Sequence, residues 1–290
     1  MSELNKAEKY LIENLKRLSE TGYKDENPRG RYKSDGELSH SISIRGSVNE
    51  IFDLSKDEFP ITETRPIGIK TAISEMLVIY QLQSNKIKDF EDNGCGWWSD
   101  WSVGDGTDIG FRYGYTVAKY DLMNKLLDGL ETNPFGKRHI MDLYQYADLM
   151  SSDGLHPCAF LTMWSISKVN EERYLDLTLI QRSSDALVAG TGINQMQYVA
   201  LQMMVAKHLG IKVGLFEHSR KNWHIYDRHL PQVKETITRL SELKARKEQS
   251  KPKLVLNVPD GTNFYDIKVD DFELINYNPI KPQLKFDLAL

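Results

Sequence analysis

Cysteine is scarce in this chain. Cys95 and Cys158 are the only two in 290 residues, and they share no Cys-x-x-Cys spacing. That scarcity excludes a disulfide scaffold, offers no zinc-site pattern, and fits a reducing, cytoplasmic setting. Positive charge is not in surplus either: 37 Lys and Arg stand against 41 Asp and Glu, a formal net charge of -4. A polycationic nucleic-acid surface is thereby excluded, and any anionic ligand must be held by a few placed arginines. No window approaches 18 uncharged apolar residues, so no membrane helix is expected. The opening stretch MSELNKAEKYLIENLKRLSETGY lacks the apolar core of a secretory signal. Internal repeats and low-complexity tracts are missing as well, which argues against a solenoid or a long disordered arm.

What is present is strand and helix in mixed order. Residues 6–20 space Tyr10, Leu11, Leu15 and Leu18 for one helical face, and Gly22 ends the element. The charged, turn-rich stretch 23–36 reads as a loop or lid, followed by strands in ELSHSISIRG and EFPI. Helical spacing returns over 71–83 and 119–131, the latter stopped by Asn133-Pro134. Two strands, 159–167 and 174–182, flank the turn-prone Asn170 and predict a hairpin, with Leu175, Leu177 and Leu179 on one face. A helix over about 194–209 closes at Gly210, and 252–277 returns to strands around Asp260-Gly261. The basic stretch 239–253 reads as a flexible connector. Without a regular βαβ rhythm the fold class is α+β, a single domain spanning 1–290.

Polar residues gather at the end of that hairpin. QRSSD, 181–185, places Arg182, two hydroxyls and Asp185 at the end of an apolar strand. It is either a solvated loop or an anion site in which Arg182 forks onto a phosphate beside Ser183. Glu75 sits near an apolar helical stripe. It either pairs with Lys70 or Lys86, or is desolvated in a cleft and suited to proton transfer. His224 and Tyr226 in NWHIYDRH fall on one side of an extended segment, whereas His208 and His218 join no pattern. GCGWWSDWS crowds Trp97, Trp98 and Trp101 beside glycines and Asp100, as core or as a surface for a flat heterocycle. Free cysteine is usually buried and inert. The hairpin, however, brings Cys158 beside Arg182, and a guanidinium next to a thiol favours the reactive thiolate.

Taken together, LHPCAF, QRSSDALVAGTGINQMQYVALQMMVAKHLG and HIYDRH, supported in order by EFPITETRP, WWSDW, IGFRYGY and NPFGKRHI, resemble the thymidylate synthases of the folate-dependent, cysteine-nucleophile type, from about Arg29 to Leu290. The resemblance implies a mixed β-sheet covered by helices and a homodimer packed through the sheet. It implies reductive methylation of dUMP to dTMP by 5,10-methylenetetrahydrofolate as co-substrate, with no metal.

By the same resemblance Cys158 is the nucleophile that adds to the pyrimidine. Glu75 works through water on the ring carbonyl, and Tyr113 assists loss of the C5 proton. Arg29 (or Arg31), Arg182 and Ser183 hold phosphate, joined by Lys137 and Arg138 from the partner subunit. Asn194 reads the uracil ring, and His224 and Tyr226 bond the sugar. Trp98 and Trp101 wall the folate, Asp185 holds its pterin, and the tail 284–290, ending at Leu290, closes over both ligands. The chain departs from the family's usual pattern in carrying Lys137-Arg138 for two arginines, Ala159 for histidine, and a longer VAGTGINQ loop. A pyrimidine hydroxymethylase on the same scaffold is the alternative. Asn194 argues for uracil over cytosine but does not separate the two reactions. A catalytically dead nucleotide- or RNA-binding regulator would have lost Cys158 or Glu75, and both are present.

Overall fold

The computed structural model describes residues 4–248 and 250–290, and a five-stranded mixed sheet runs through it. Its strands are Ser47–Asp53 (β1), Ile140–Asp142 (β2), Ala159–Val169 (β3), Glu172–Gln181 (β4) and Lys212–Lys221 (β5), in the order β1-β5-β4-β3-β2. Only β4 and β5 run parallel. The β3–β4 hairpin forms for a local reason. Asn170 and Glu171 both adopt positive φ, 49° and 67°, a two-residue turn whose twist matches that of the strands it joins. Pairing then runs the length of the hairpin to Ala159 opposite Gln181.

Alternation decides which face of the sheet is buried. Leu175, Leu177 and Leu179 are almost wholly buried, together with Trp164, Phe52 and Phe216 on the neighbouring strands. Against this face lie the helices Lys6–Thr21 (α1), Ile69–Met76 (α2), Leu122–Thr132 (α3) and Ile193–Leu209 (α4), while Leu230–Ala245 (α5) packs through Leu240 on α1 and on Trp223 and Ile225. Helix α4 is apolar around its whole circumference, and such a helix belongs in the interior; Met196 through Ala206 are buried. Its few polar side chains are bonded. Gln202 donates to the carbonyls of Leu175 and Leu215 at 2.8 and 3.0 Å, and Gln195 donates to Glu50 at 2.6 Å. Gly210 closes the helix at φ 62° with its N–H on the Ala206 carbonyl.

A smaller sheet lies beside the end of the hairpin. Its order is Tyr23–Lys24, Ser41–Ser43, Trp223–Tyr226, Ser184–Asp185. The last pair is parallel, with Asp185 opposite His224, so the polar QRSSD knot and the HIY segment are held side by side.

Several sequence expectations are corrected. Residues 58–61, expected as a strand, form none, because the segment is extended but unpaired. The helix expected over 119–131 is two helices, Gly114–Tyr120 and α3, broken where Asp121 turns left-handed at φ 50°. The connector expected over 239–253 is helical as far as Ala245, since Leu240 and Leu243 bury against the body of the protein; Gln249 lies outside the described residues. The strands in 252–277 do pair, as Lys253–Leu256 with Phe272–Ile275. Asp260-Gly261, however, is one turn within a long connection rather than the hairpin tip. Met1, Ser2 and Glu3 of the expected 1–22 segment also lie outside the described residues.

One buried carboxyl gives the fold a pH dependence. Glu8 caps α1, accepts the N–H groups of Asn5 and Glu63, and is almost fully buried. Burial pushes its pKa from 4.5 up to about 7, with the Glu63 charge adding to the rise. A group that binds its proton more tightly when folded adds stability at low pH, and that contribution fades as pH climbs through 4.5 towards 7. Glu8→Gln is expected to gain on wild type by up to about 3 kcal/mol between pH 4 and pH 8. Denaturant titrations across that range check it, and parallel stability curves for the two proteins would count against it.

Candidate active site

Cys158 stands where an irregular loop becomes β3. The ladder bulges between Ala159 and Leu161, and the Arg182 N–H reaches back to the Cys158 carbonyl at 2.8 Å. The sequence places Arg182 one residue past the end of β4, so the hairpin register alone brings the two side chains together. The guanidinium donates from Nε to the Pro157 carbonyl at 2.9 Å and from Nη2 to the His156 carbonyl at 2.7 Å. The same Nη2 lies 3.5 Å from Cys158 Sγ. Two backbone carbonyls therefore position the cation against the sulfur.

The expected pull of Arg182 towards thiolate is present, but it is not the largest effect. Burial pushes the Cys158 thiol above its ordinary value, and Arg182 and Arg29 pull it back only in part. Desolvating the charged form outweighs two guanidiniums at the distances found here. Cys95 is a different case. It is fully buried, its Sγ faces the carbonyls of Thr71 and Asn93, and burial raises its pKa to about 12. That thiol is a packing residue.

Two arginines were candidates for the anion. Arg31 commits its Nη1 to the Gly36 carbonyl at 2.8 Å. Arg29 instead places its charge near Cys158, His156 and Tyr226. Geometry favours Arg29.

Glu75 projects from α2 into the aromatic segment Gly96–Trp101. Trp98 Nε1 donates to its Oε1 at 3.2 Å and Gln197 Nε2 to its Oε2 at 2.8 Å. The lysines that might have neutralised it are engaged elsewhere, Lys70 with Asp270 and Lys86 with Asp108. Burial raises Glu75 from 4.5 to about 7, with the two N–H donors holding it back. It is therefore a carboxyl poised to exchange protons near neutrality.

Tyr113 closes this wall. Its backbone is strained at φ 51°, its ring meets Trp98 edge-on with centroids 5.1 Å apart, and its hydroxyl faces the Cys158 backbone N–H. Trp101 continues the aromatic surface at 6.1 Å from Trp98.

The rest of the expected set assembles around this centre, with one exception. Asn194, at the start of α4, accepts from Gln181 at 3.2 Å and donates to Gln197 at 2.9 Å. His224 rests its Nδ1 on the Asn222 carbonyl at 2.9 Å and meets Tyr226 edge-on at 5.1 Å. Ser183 Oγ lies 3.5 Å from Asn222 Nδ2. Asp185 caps the turn after it, accepting the N–H groups of Leu187 and Val188 at 3.2 Å each.

Leu290 exchanges two backbone hydrogen bonds with Arg31, both 2.8 Å. The tail is further held by Asp287, which accepts from Arg228 at 2.9 Å and Ser34 at 2.6 Å. Lys33 ties the same loop to Asp100 at 2.7 Å, beside the tryptophans. Lys137 and Arg138 are the exception. They are exposed and precede Ile140, which pairs with Met163, so β2 carries them away from Cys158.

Sequence reasoning missed the polar links behind the site: Gln181, Gln197 and His218, and the Arg228–Asp287 clasp on the tail. Gln197 carried a usable signal, because it sits three residues beyond Asn194 on an otherwise apolar helix and hence on the same face. The others depend on partners far away in sequence. Among the described residues no group of His, Cys, Asp and Glu could hold a metal ion, and no helix is long and apolar enough to cross a membrane.

Comparison with known proteins agrees with this geometry. The family model described as thymidylate synthase matches residues 9–290. A thymidylate synthase of Streptococcus pneumoniae (strain 70585) is 51% identical over 288 residues, covering 99% of this chain and 100% of the relative. One from Streptococcus sanguinis (strain SK36) is 52% identical over 285 residues, covering 98% and 99%. The solved structure of the thermostable thymidylate synthase A from Bacillus subtilis superposes with a TM-score of 0.85 at 32% identity, covering 98% of this chain and 99% of that one. The hydroxymethylase alternative finds no support among them. With a catalytic-type thiol, its guanidinium and a poised carboxyl on a matching fold, the chain belongs to the thymidylate synthase family.

Proposed function

We propose that the residues gathered around Cys158 carry out the reductive methylation of dUMP to dTMP. The observation that carries this assignment is the placement of Cys158 Sγ 3.5 Å from Arg182 Nη2, under the wall formed by Glu75, Trp98 and Tyr113. Arg29, Arg182 and Ser183 bind the nucleotide phosphate. A dianion arriving there also compensates a cluster of positive charge that would otherwise be left unbalanced. His224 and Tyr226 bond the sugar hydroxyl. Asn194 donates to a ring carbonyl and accepts from N3–H, a combination an amide can supply.

C5 of uracil is a poor nucleophile. Cys158 gives up its proton, its sulfur bonds to C6, and the displaced π electrons move towards the C4 oxygen, so that C5 becomes enolate-like. Glu75, through water, exchanges a proton with that oxygen. Methylenetetrahydrofolate, when bound, supplies the one-carbon unit and then the hydride. Trp98 and Trp101 offer it a flat apolar wall, Asp185 receives its pterin N–H groups, and the tail ending at Leu290 covers the site and excludes water. Tyr113 assists removal of the C5 proton, and once the one-carbon unit has been reduced to methyl the Cys158–C6 bond breaks, which restores the C5=C6 double bond and returns the sulfur as thiol.

Lys137 and Arg138 serve the partner's phosphate in a homodimer packed through the sheet. The sheet face turned away from the helices supports this. Ile140 and Met163 pair on it, and the row runs on through Thr178 and Glu217 to Ile51; the three apolar side chains are 51%, 38% and 42% exposed, flanking a polar pair in a mixed surface suited to a second copy. Two free thiols fit the reducing cytoplasm.

Incubation with dUMP and methylenetetrahydrofolate tests the reaction. Dihydrofolate should appear in step with a methylated pyrimidine identified by mass, and a hydroxymethyl product without folate oxidation would reject it. Asn194→Asp is expected to shift ring preference towards cytosine, whose amino group needs an acceptor. Nucleotide affinities of the variant and wild type measure this, and an unchanged preference removes Asn194 from ring reading.

A further inference from the structure

An asparagine alone does not distinguish uracil from cytosine. Rotated by half a turn, its amide presents a donor to a ring nitrogen and an acceptor to an amino group, which is the pattern cytosine wants. In this chain the rotation is opposed from both sides. Gln181 Nε2 donates at 2.9 Å to the Ser183 carbonyl, which can only accept, and the same nitrogen donates at 3.2 Å to Asn194 Oδ1. Gln181 Oε1 faces His218 Nε2 at 2.9 Å. That histidine is fully buried, and its Nδ1 has no partner among the described residues.

On the other side Gln197 Nε2 faces the Ala72 carbonyl at 3.4 Å, which can only accept, and Glu75 Oε2 at 2.8 Å, which accepts whenever the carboxyl is ionised. Its Oε1 is thereby left to accept from Asn194 Nδ2 at 2.9 Å. With Glu75 ionised, every amide from His218 to Glu75 thus has one favoured orientation, and reversing Asn194 sets oxygen against oxygen at Gln197 and nitrogen against nitrogen at Gln181.

We propose that Gln197 is a positioning and specificity-determining residue: its amide, anchored on Glu75, locks Asn194 in the orientation that accepts uracil and rejects cytosine. The inference rests on the reading of Asn194 as the ring-facing amide. It also couples two functions, because the amide that holds Asn194 through its Oε1 supplies, through its N–H, one of two side-chain donors supporting the Glu75 carboxylate. Trp98 supplies the other. The titratable neighbours that sense the Glu75 charge, Cys95, Tyr113 and Tyr198, all hold their protons through neutral pH.

Two variants separate the lock from mere packing. Gln197→Met keeps the volume and loses both bonds. The ratio of dUMP to dCMP affinity is expected to fall roughly tenfold or more. The acid limb of the kcat pH profile should rise by about one unit as the carboxylate loses a donor. Gln197→Glu keeps an oxygen facing Asn194 Nδ2, so it should retain the wild-type ratio while moving the same limb upwards, and it serves if the methionine variant does not fold. An unchanged ratio in Gln197→Met, or an unchanged limb in both variants, overturns the proposal. Asn194→Asp run alongside distinguishes the two failures. If it shifts preference while Gln197→Met does not, the lock alone is wrong. If it too leaves preference unchanged, the ring-reading assignment falls and takes the lock with it.

Discussion

Cys158→Ser protein is expected to bind dUMP much as wild type does and to form dTMP at least about 10⁴-fold more slowly, the scale on which loss of a covalent nucleophile registers. A serine hydroxyl ionises far less readily than a thiol, and the surroundings here already disfavour a negative charge, since burial raises even the thiol's pKa. Binding should survive because Arg182 is held by the carbonyls of Pro157 and His156, neither of which the substitution touches. Cys95 offers no rescue: it is buried, and its thiol is pushed up to about 12. Calorimetric titration with dUMP and dihydrofolate absorbance together decide the matter. Turnover within tenfold of wild type would mean that another group attacks the ring.

Glu75→Gln should lose about 10²–10⁴-fold in kcat, the range over which a positioned acid–base group acts. The carboxyl titrates near 7 because it is desolvated beneath Trp98, with two N–H donors only partly restoring the charged form. The variant should therefore also lose the limb of the pH profile centred near that value. Stability is expected to move the other way. A carboxyl whose folded pKa is raised favours the folded state below its unfolded value and works against it as pH climbs to about 7. Its neutral amide should therefore leave the protein more stable at pH 8 while less active, a trade between stability and activity common at catalytic sites. A glutamine variant that keeps both the rate and the neutral limb would remove Glu75 from proton transfer.

How far the site was legible in sequence depended on how local its causes were. The Cys158–Arg182 contact followed from a hairpin, which a turn residue and period-2 alternation disclose. His224 and Tyr226 shared a face for the same reason. The net shift of the thiol was not legible, because sequence reveals the neighbouring cation but not the depth of burial, and burial is the larger of the two effects. Lys70 and Lys86 lie close to Glu75 along the chain, yet each is drawn to a carboxylate closer in space.

Composition, alternation and turn chemistry by themselves determined that this protein is an α+β domain with a thiol and a guanidinium at one end of a central hairpin; the amide and the roles of all three came from the family resemblance. Each of those choices is made by a residue and its near neighbours in the chain. Tertiary structure alone decided that Arg29 rather than Arg31 joins Arg182 near the sulfur, that Glu75 loses its lysines, and that a line of amides from His218 to Glu75 favours a single polarity. Those outcomes depend on desolvation and on hydrogen-bond partners brought together from α2, β4, β5 and α4, and neither is expressed until the elements pack.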